Sequence, residues 1–201
     1  MKIGIAILNW NGLNLLKSHL KGVVSKSNNS CVYIIDNNSS DGSVKFVRDN
    51  FPEVKIISLD KNYGFAGGYN KGLKAITEDL ICIMNNDIEV TSNWLDPIRE
   101  IFSEKPNSIV QPTIMDLNNR QYFEYAGASG GFIDKYGYPF CRGRIFKTVE
   151  KNNGQYTDSK IFWASGACML IQKKQFFELG GFDERFFAHM EEIDLCWRAF
   201  N

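Results

Sequence analysis

Near its N-terminus the chain reads Lys2-Ile3-Gly4-Ile5-Ala6-Ile7-Leu8-Asn9-Trp10-Asn11-Gly12, a short apolar run that ends abruptly in polar, loop-forming residues. Three further runs of the same kind follow it, rich in Ile and Val, at Cys31–Ile35, Val54–Leu59 and Leu80–Met84. Short apolar runs bounded by turn residues are typical of strands buried on both faces of a sheet. The opening stretch therefore predicts a first strand at Lys2–Leu8, and the other runs predict three more strands.

Helical patterns lie between these runs. Apolar residues repeat at helical spacing in three places: Leu13, Leu16, Leu20 and Val23; Val44 and Val47; and Tyr69, Leu73 and Ile76. Alternation of strands and helices implies a parallel sheet with helices on its faces. The segment Asp41-Gly42-Ser43 predicts a cap for the second helix. We therefore predict an α/β fold with a Rossmann-like, mostly parallel sheet flanked by helices.

The second half of the chain is less regular. A helix is predicted over Trp94–Phe102, followed by a strand at Ser108–Gln111 that Pro112 ends. Residues 113–160 are rich in Gly, Asn and Tyr, which indicates loops and short antiparallel strands. Beyond them we predict a strand at Ile161–Gln172 with a break at Ser165-Gly166, a short helix at Lys173–Leu179 that stops at Gly180, and a helix from Glu191 onward.

Composition narrows the class of protein. A length of 201 residues suggests one domain, and Lys+Arg and Asp+Glu both number 23, which argues against a nucleic-acid partner or a polybasic membrane surface. The five cysteines are scattered without a CxxC pair, which argues against a zinc site and fits a reducing compartment. The apolar N-terminus is too short for a signal peptide, and no run could span a bilayer. We therefore expect a cytoplasmic protein.

Polar residues follow all four predicted strands of the first half: Asn9-Trp10-Asn11-Gly12, Asp36 to Gly42, Asp60 to Gly64, and Asn85-Asn86-Asp87. In an open α/β sheet, ligands bind outside the carboxyl ends of the strands. Asn, Asp and Gly also make ordinary turns, which would explain any one of these segments. Four such strand ends in succession favour a ligand-binding edge.

Several residues at this edge suggest a nucleotide and a metal. Asp36 is suited to accept hydrogen bonds from a base or a ribose hydroxyl, and Asp87 is suited to a hard divalent cation that also binds diphosphate oxygens, although a turn explains Asp87 as well. Gly64, Gly67 and Gly68 would let a ligand approach the backbone, but tight packing of a helix on a strand explains the same glycines. The absence of GxGxxG and GxxxxGK[ST] motifs argues against a dinucleotide fold and a P-loop NTPase.

An acidic cluster, Glu191, Glu192 and Asp194, lies among aromatic and apolar residues in the segment Gly180–Arg198. A carboxylate held among apolar neighbours has a raised pKa and can serve as a general base. A solvated helix face is the other explanation, and the surrounding aromatics make it the weaker one. Helical spacing puts Glu191 and Asp194 on one face and Glu192 beside Leu195 and Cys196, which leaves the choice of base open.

Together these segments resemble the family 2 glycosyltransferases, which have the nucleotide-diphospho-sugar transferase (GT-A) fold, and in particular bacterial rhamnosyltransferase-type members that build surface polysaccharides. The resemblance runs from Ile3 to Arg198 and is carried by Ile7–Gly12, Ile35–Ser43, Asn62–Asn70, Asn85–Asp87, Ser165–Leu170 and Gly180–Arg198. It implies a single GT-A catalytic domain over residues 1–201, truncated at its C-terminus. Residues 1–112 would be the half that binds the nucleotide sugar, and residues 113–201 the acceptor and catalytic half.

The resemblance also implies roles for individual residues. The nucleotide would be held by residues of the first three strand ends and by one of the fourth: Asn9, Trp10, Asp36, Asn38, Asn62, Gly64, Gly67 and Asn86. Asp87 matches the last aspartate of the family's Asp-x-Asp metal motif and would bind Mg or Mn, with Asn85 in place of the first aspartate. Glu192 matches the base of the family's Glu-Asp motif, with Glu for Asp, and Glu191 and Asp194 are the alternatives.

The implied reaction is an inverting, metal-dependent transfer of a sugar from a nucleotide-diphospho-sugar to a hydroxyl of a glycan or lipid-linked acceptor, in surface polysaccharide synthesis. The rhamnosyltransferase likeness makes dTDP-rhamnose a candidate donor. Such an enzyme would work in the cytoplasm, at the inner face of the cell membrane, with membrane contact through a missing C-terminal segment. Four aromatic residues are candidates for stacking on sugar rings, although most aromatic residues in such a chain simply belong to the core: Tyr122, Tyr125, Trp163 and Phe187.

Two alternatives belong to other classes. A sugar-nucleotide-binding module without turnover is consistent with the neutral Asn85 and the Glu191-Glu192 pair, and it predicts nucleotide binding without transfer and without sensitivity to Glu192→Gln. A nucleotidyltransferase also uses a parallel sheet and a metal. The loop after the first strand lacks the Gly-rich segment with Arg or Lys that a triphosphate would need, which argues against that class.

Overall fold

The computed structural model describes residues 1–186 and 189–201. Its strands, in chain order, are β1 Ile3–Asn9, β2 Ser30–Asp36, β3 Lys55–Ser58, β4 Leu80–Met84, β5 Gly131–Ile133, β6 Pro139–Cys141, β7 Arg144–Ile145, β8 Thr148–Val149 and β9 Cys168–Gln172. Its helices are α1 Leu13–Lys26, α2 Ser43–Asn50, α3 Gly64–Gly72, α4 Asp96–Glu104, α5 Lys173–Glu178 and α6 Glu191–Phe200, with a 3-10 turn at Leu73–Ala75 after α3.

The central sheet has the strand order β3-β2-β1-β4-β9. The β1–β2, β1–β4 and β2–β3 pairs are parallel, and β9 runs antiparallel to β4. This arrangement confirms the predicted α/β fold with a mostly parallel sheet. The parallel strands place their carboxyl ends at one edge, so the four polar strand ends of the first half lie together as the sequence predicted.

Alternate side chains of β1 are buried on opposite faces of the sheet. Ile5 and Ile7 pack in a cluster with the apolar residues of α1, α2 and α4, whereas Ala6 packs with those of α3, α5 and α6. This two-sided burial explains why the strands are continuous apolar runs rather than alternating ones. The sheet is therefore the middle layer of a three-layer fold.

Two strand predictions need correction. Strand β3 is only half buried, with Lys55 and Ser58 exposed, because it is the edge strand and pairs with β2 alone. Residues 108–111 do not form a strand among the described elements; Val110 makes a single antiparallel bridge to Leu170 of β9. Burial against the sheet accounts for the apolar character of that segment without a full ladder.

The irregular region forms a small second sheet, in the order β5-β6-β7-β8, as the prediction of short antiparallel strands for residues 113–160 anticipated. Trp163 connects it to the rest of the domain, because its indole Nε1 donates to the Phe132 carbonyl over 2.8 Å and its backbone bridges Gly131. A Cβ on Gly131 would lie 1.9 Å from the indole ring, so only glycine allows this contact.

The last part of the chain contains the predicted strand and helices, but the strand is shorter than predicted. Strand β9 occupies only residues 168–172 of the predicted 161–172, because the chain turns at Ser165-Gly166. Helix α5 ends before Gly180, whose φ of 87° is readily adopted only by glycine. All five cysteines are free thiols. No helix within the described ranges has both the length and the apolar character needed to cross a membrane.

Candidate functional site

The strand order of the central sheet reverses between β1 and β4, and this is where open α/β sheets bind ligands. Asn9, at the end of β1, is fully buried. Its Oδ1 accepts a hydrogen bond from the Asn86 amide over 3.1 Å, and its own amide donates to the Ser39 hydroxyl over 3.2 Å. One buried side chain therefore links the segments that follow β1, β2 and β4.

Tyr69 bridges β1 and β4 at the same edge. Its hydroxyl donates to the Met84 carbonyl over 2.8 Å and accepts from the Leu8 backbone N–H over 3.3 Å. The hydroxyl thus links the Leu8 N–H to the Met84 carbonyl, beyond the last paired residues Ile7 and Met84. Burial raises the pKa of this phenol, so the hydroxyl stays protonated and keeps both bonds.

Asn37 organises the segment after β3 and was not singled out in the sequence. Its amide donates to the Asn62 Oδ1 and to the Gly64 carbonyl, both over 2.9 Å, and its Oδ1 accepts from the Tyr63 N–H. This side chain is buried, and it fixes two of the predicted nucleotide-binding residues, Asn62 and Gly64. Asn37 and Asn38 follow β2 side by side, and the sequence does not indicate which of the two side chains is buried.

The other predicted nucleotide residues after β1 and β2 lie around this framework. Asp36 is buried, and its carboxylate accepts a hydrogen bond from the Ser39 N–H over 3.2 Å. Trp10 and Asn38 are exposed, and Asn38 adopts a left-handed φ of 66°. The structure therefore brings Asn9, Trp10, Asp36 and Asn38 to one edge, with Asp36 at its floor.

Packing accounts for part of the glycine cluster. Gly64 begins α3 with φ 69°, in the conformation that favours glycine. A Cβ on Gly68 would lie 2.7 Å from the Leu8 side chain, and a Cβ on Gly67 would lie 3.1 Å from the Tyr63 Cβ and 3.4 Å from the Glu184 carboxyl carbon. Packing of the helix on a strand, which was the alternative explanation for these glycines, thus accounts for Gly68, which meets Leu8 of β1, but not for Gly67, whose neighbours lie outside the strands.

Asp41 supports this edge by capping two helices. Its carboxylate accepts hydrogen bonds from the Leu13 N–H, over 2.8 Å at the start of α1, and from the Ser43 N–H, over 3.0 Å at the start of α2. Partial burial opposes ionisation, but the bonds from Ser43 and Leu13 outweigh it and lower the pKa of this carboxyl. The predicted cap of α2 is thus present, with Asp41 as the capping side chain. The same carboxylate also caps α1, which was not predicted.

Asp87 is exposed just beyond β4. Its neighbour Asn85 donates its backbone N–H to the Ala167 carbonyl over 3.0 Å, which joins the end of β4 to the loop before β9. Glu89, the next acidic residue, forms an ion pair with Arg120. Among the described residues no three His, Cys, Asp or Glu side chains converge as a metal cage.

The acidic cluster lies at the start of α6, and two of its members are poorly solvated. Glu191 is only 5% exposed, and Glu191 and Glu192 each have one buried carboxylate oxygen without a hydrogen-bond partner in the described part of the chain. Burial raises the pKa of both carboxyls, and for Glu192 the neighbouring Glu191 charge adds to the effect. His189 and Met190, which precede them, adopt left-handed φ values of 71° and 79°.

Glu192 lies beside the loop that reaches the end of β4. A Cβ on Gly166 would be 3.9 Å from the Glu192 Cβ and 3.3 Å from the ring of Phe65, which is near the start of α3. The residue after Gly166 is Ala167, whose carbonyl binds Asn85. Glu192 and the segment that carries Asn86 and Asp87 therefore lie against the same loop, residues 166–167.

Asp194 has different surroundings. Its Oδ2 accepts two hydrogen bonds from the Arg198 guanidinium, over 2.9 and 2.6 Å. The same guanidinium donates to the carbonyls of Leu179 and Gly181 and so holds the turn that follows α5. This carboxylate is therefore part of a structural ion pair.

The predicted sugar-stacking aromatics are dispersed. Trp163 is buried against Gly131, so its ring belongs to the core, which corrects the expectation for this residue. Tyr125 is exposed, with the Arg144 guanidinium 4.1 Å above its ring, and Tyr122 is half buried. Phe187 lies outside the described residues.

Comparison with known proteins agrees with this geometry. The crystal structure of GalNAc-T7 with UDP, GalNAc and Mn²⁺ superposes with a TM-score of 0.75 at 16% identity, covering 99% of this chain and 40% of that one. The chain thus has the GT-A fold of nucleotide-diphospho-sugar transferases. A family model described as glycosyl transferase family 2 matches residues 5–179, and the chain belongs to that family.

Two curated relatives are similar over most of the chain. An N-acetylglucosaminyl-diphospho-decaprenol L-rhamnosyltransferase of Mycobacterium tuberculosis is 24% identical over 180 residues, which cover 82% of this chain and 59% of the relative. A low-salt glycan biosynthesis hexosyltransferase of Haloferax volcanii is 22% identical over 202 residues, covering 98% and 61%. The chain thus spans about three fifths of the length of these relatives, and it is confirmed as a rhamnosyltransferase-like member of the family.

Proposed function

We propose that this chain is the catalytic domain of a glycosyltransferase that moves a sugar from a nucleotide-diphospho-sugar to an acceptor hydroxyl. The observation that carries the proposal is the position of Glu192. Its partly buried carboxylate, with a raised pKa, lies beside the loop that is hydrogen-bonded to the Asn85–Asp87 segment. A proton acceptor near these polar strand ends would take the proton of an acceptor hydroxyl as that hydroxyl attacks a sugar bound there.

The donor nucleotide would bind along residues 1–112. Asp36 would accept hydrogen bonds from the nucleoside, with Asn9, Trp10 and Asn38 beside it. Asn62, Gly64 and Gly67 would shape the wall formed by the start of α3, and Asn86 the boundary toward β4. The linking bonds of Asn9 and Asn37 support this proposal, because they hold these segments in place without a ligand.

A divalent cation, Mg or Mn, would find one carboxylate ligand at the end of β4. Asp87 offers one exposed carboxylate, and no hydrogen bond or ion pair engages it in the described part of the chain. Mg²⁺ commonly takes one or two carboxylates together with substrate phosphates and water, so one aspartate is a sufficient protein share. When bound there, such an ion would neutralise charge on the diphosphate leaving group.

The chemical step we propose is a single displacement with inversion. The acceptor hydroxyl oxygen attacks the anomeric carbon, Glu192 takes its proton, and the bond from that carbon to the diphosphate oxygen breaks to release a nucleoside diphosphate. Glu191, also buried and without a partner for one oxygen, raises the pKa of Glu192 and is the alternative base. The ion pair with Arg198 makes Asp194 the weakest of the three candidates.

The acceptor would lie on the side of residues 113–201. The Mycobacterium tuberculosis relative is named for a rhamnosyl transfer to a decaprenol-linked saccharide, which supports a lipid-linked glycan acceptor in surface polysaccharide synthesis and dTDP-rhamnose as a candidate donor. A lipid-linked acceptor would place the enzyme at the inner face of the cell membrane.

Thermal unfolding with UDP, dTDP and GDP, each with and without Mn²⁺, tests the donor site. A ligand that binds only the folded state stabilises it by about 2.7 kcal/mol at a hundredfold excess over Kd. We expect one nucleotide to raise the unfolding temperature, and the rise to disappear with EDTA and in Asp87→Ala. Equal behaviour with all nucleotides, or a rise that survives in Asp87→Ala, would contradict the proposed site.

Glu192→Gln separates the enzyme from a binding module without turnover. For the enzyme we expect the nucleotide-induced rise to persist while release of nucleoside diphosphate from the sugar nucleotide, with acceptor present, falls by about 10²–10⁴-fold. The matched control is Glu104→Gln on the exposed end of α4, which should leave both readouts unchanged. Nucleotide binding without turnover in the unmodified chain would favour the binding module.

A further inference from the structure

The small second sheet has an apolar outer face. Phe132 pairs with Phe140, and Ile145 pairs with Thr148, so these residues point to the same side, opposite the buried Cys141. Phe140 and Ile145 are exposed, and the rings of Phe132 and Phe140 stack with centroids 5.7 Å apart. An antiparallel sheet with one solvated face normally carries polar residues there, so this face is unusual for a domain surface.

The turn between β7 and β8 extends this face at its end. It consists of Phe146 and Lys147, and Phe146 is 92% exposed. Its φ of 51° is left-handed, which is unfavourable for a bulky aromatic residue. Turns of this length favour Asn-Gly, so neither packing nor turn geometry explains a phenylalanine here.

The turn between β5 and β6 adds two tyrosines. Tyr136 and Tyr138 are 74% and 71% exposed. The Asp134 carboxylate accepts hydrogen bonds from both of their backbone N–H groups, over 2.8 and 2.9 Å, and so fixes the turn that presents them. We call Tyr136, Tyr138, Phe140, Ile145 and Phe146, together with Lys135 and Lys147, the hairpin patch.

The charge of the hairpin patch is basic. Lys135 lies 4.9 Å from the ring centroid of Tyr136, and Lys147 is exposed next to Phe146; neither forms an ion pair within residues 1–186 and 189–201. The Asp134 carboxylate accepts only backbone N–H groups and keeps its negative charge, but the two lysines outnumber it, so the two turns together carry a net positive charge. Two lysines beside exposed aromatics thus stand out on a chain with zero net charge.

We propose that the hairpin patch docks on an anionic lipid bilayer, with Phe146 entering the interfacial region and the two lysines contacting the headgroups. Aromatic side chains prefer the boundary between headgroups and acyl chains, and lysines near it are attracted by anionic lipids. A symmetric contact between two copies fits less well, because each residue would meet the same patch of the partner and bring lysines together.

Sedimentation of the full chain with vesicles tests this proposal. We compare vesicles of phosphatidylcholine alone with vesicles in which about a third of the lipid is phosphatidylglycerol, since the attraction of lysines requires anionic headgroups. We expect binding to the anionic vesicles, weakened by salt because the charge contribution is screened. Phe146→Ser should weaken it by about tenfold, and Lys147→Glu should abolish the preference for anionic lipid.

The matched control is Phe200→Ser, since Phe200 is also 74% exposed but lies on α6, outside the hairpin patch. Its binding should equal that of the unmodified chain. No binding to anionic vesicles, or equal effects of Phe146→Ser and Phe200→Ser, would overturn the proposal. Light scattering would overturn the proposal in another way if it showed a dimer that Phe146→Ser converts to a monomer, with no vesicle binding. The patch would then bind a second copy of this chain. No nucleotide is present, so the result is independent of the donor site.

Discussion

The amide of Asn86 donates to the Oδ1 of Asn9 over 3.1 Å, and this bond joins the segment after β4 to the end of β1. Both amides pack against Gly12, where a Cβ would lie 2.4 Å from the Asn86 nitrogen and 2.4 Å from the Asn9 oxygen. The glycine that precedes α1 is therefore required by the contact between two strand ends rather than by its own backbone conformation.

Gly12→Ala should disrupt this contact. We expect a loss of about 1–3 kcal/mol in the free energy of unfolding, as for overpacked cores, together with a weaker nucleotide-induced stabilisation. Urea denaturation with and without the nucleotide measures both. Gly22→Ala is the control, because Gly22 lies inside α1 with open space around its Cα, and we expect it to gain about 0.5–1 kcal/mol. A stable Gly12→Ala variant with full nucleotide binding would contradict the assigned contact.

Asp41→Ala should destabilise the start of both α1 and α2. Loss of a capping side chain costs about 0.5–2 kcal/mol, and here two helix starts depend on it. Because the pKa of Asp41 is lowered in the folded state, its contribution is present above the ordinary value of 3.8 and is lost as pH falls below that value. Urea denaturation at a series of acidic pH values should show the free energies of unfolding of Asp41→Ala and the unmodified chain becoming equal as the pH falls. Asp49→Ala, which removes an exposed ion pair with Lys45, should change little at any pH.

Glu191→Gln and Glu192→Gln should stabilise the fold near neutral pH. Both carboxyls have pKa values raised above the ordinary 4.5, so the folded state binds protons more tightly than the unfolded state. Stability then falls as pH rises from that value through the raised pKa, and glutamine removes this loss. The increase in the free energy of unfolding should vanish in more acidic solution, where the glutamate is protonated in both states. Unfolding midpoints measured from acidic to neutral pH check this, and a gain that is independent of pH would point to packing instead.

Tyr69→Phe should weaken the sheet at its carboxyl edge. The substitution leaves the Leu8 N–H and the Met84 carbonyl without the hydroxyl that binds them, which costs about 1–3 kcal/mol for buried groups. Urea denaturation measures this loss. For comparison, Tyr125→Phe removes a hydroxyl from an exposed tyrosine and should stay within about 0.5 kcal/mol of the unmodified chain.

The sequence predicted the parallel part of the fold because its signals are local. Each of the first four strands is an apolar run with helices between, and the polar residues at their ends share one edge as expected. The pairing of β9 with β4 was not specified, since antiparallel addition of a strand 84 positions later depends on tertiary packing (Met84 faces Cys168). Burial of individual strands also escaped prediction, as the half-exposed β3 shows.

At the candidate site, residue types were informative but partners were not. The sequence pointed to Asp36, Asp87 and the acidic cluster, yet it could not distinguish the ion-paired Asp194 from the partnerless oxygens of Glu191 and Glu192. It also missed Asn37, because an asparagine that faces inward looks the same in sequence as one in a turn. Which carboxylate has a partner depends on Arg198, one helical turn further along.

The antiparallel pairing of β4 with β9 has a consequence for how the chain acquires its structure. During synthesis β1 to β4 emerge first, but the β4 edge has no neighbour until residues 168–172 have left the ribosome. An unprotected edge strand invites pairing with other chains. We therefore expect residues 1–112 alone to leave the β4 edge unpaired and prone to association, because the strand that covers this edge lies at residues 168–172.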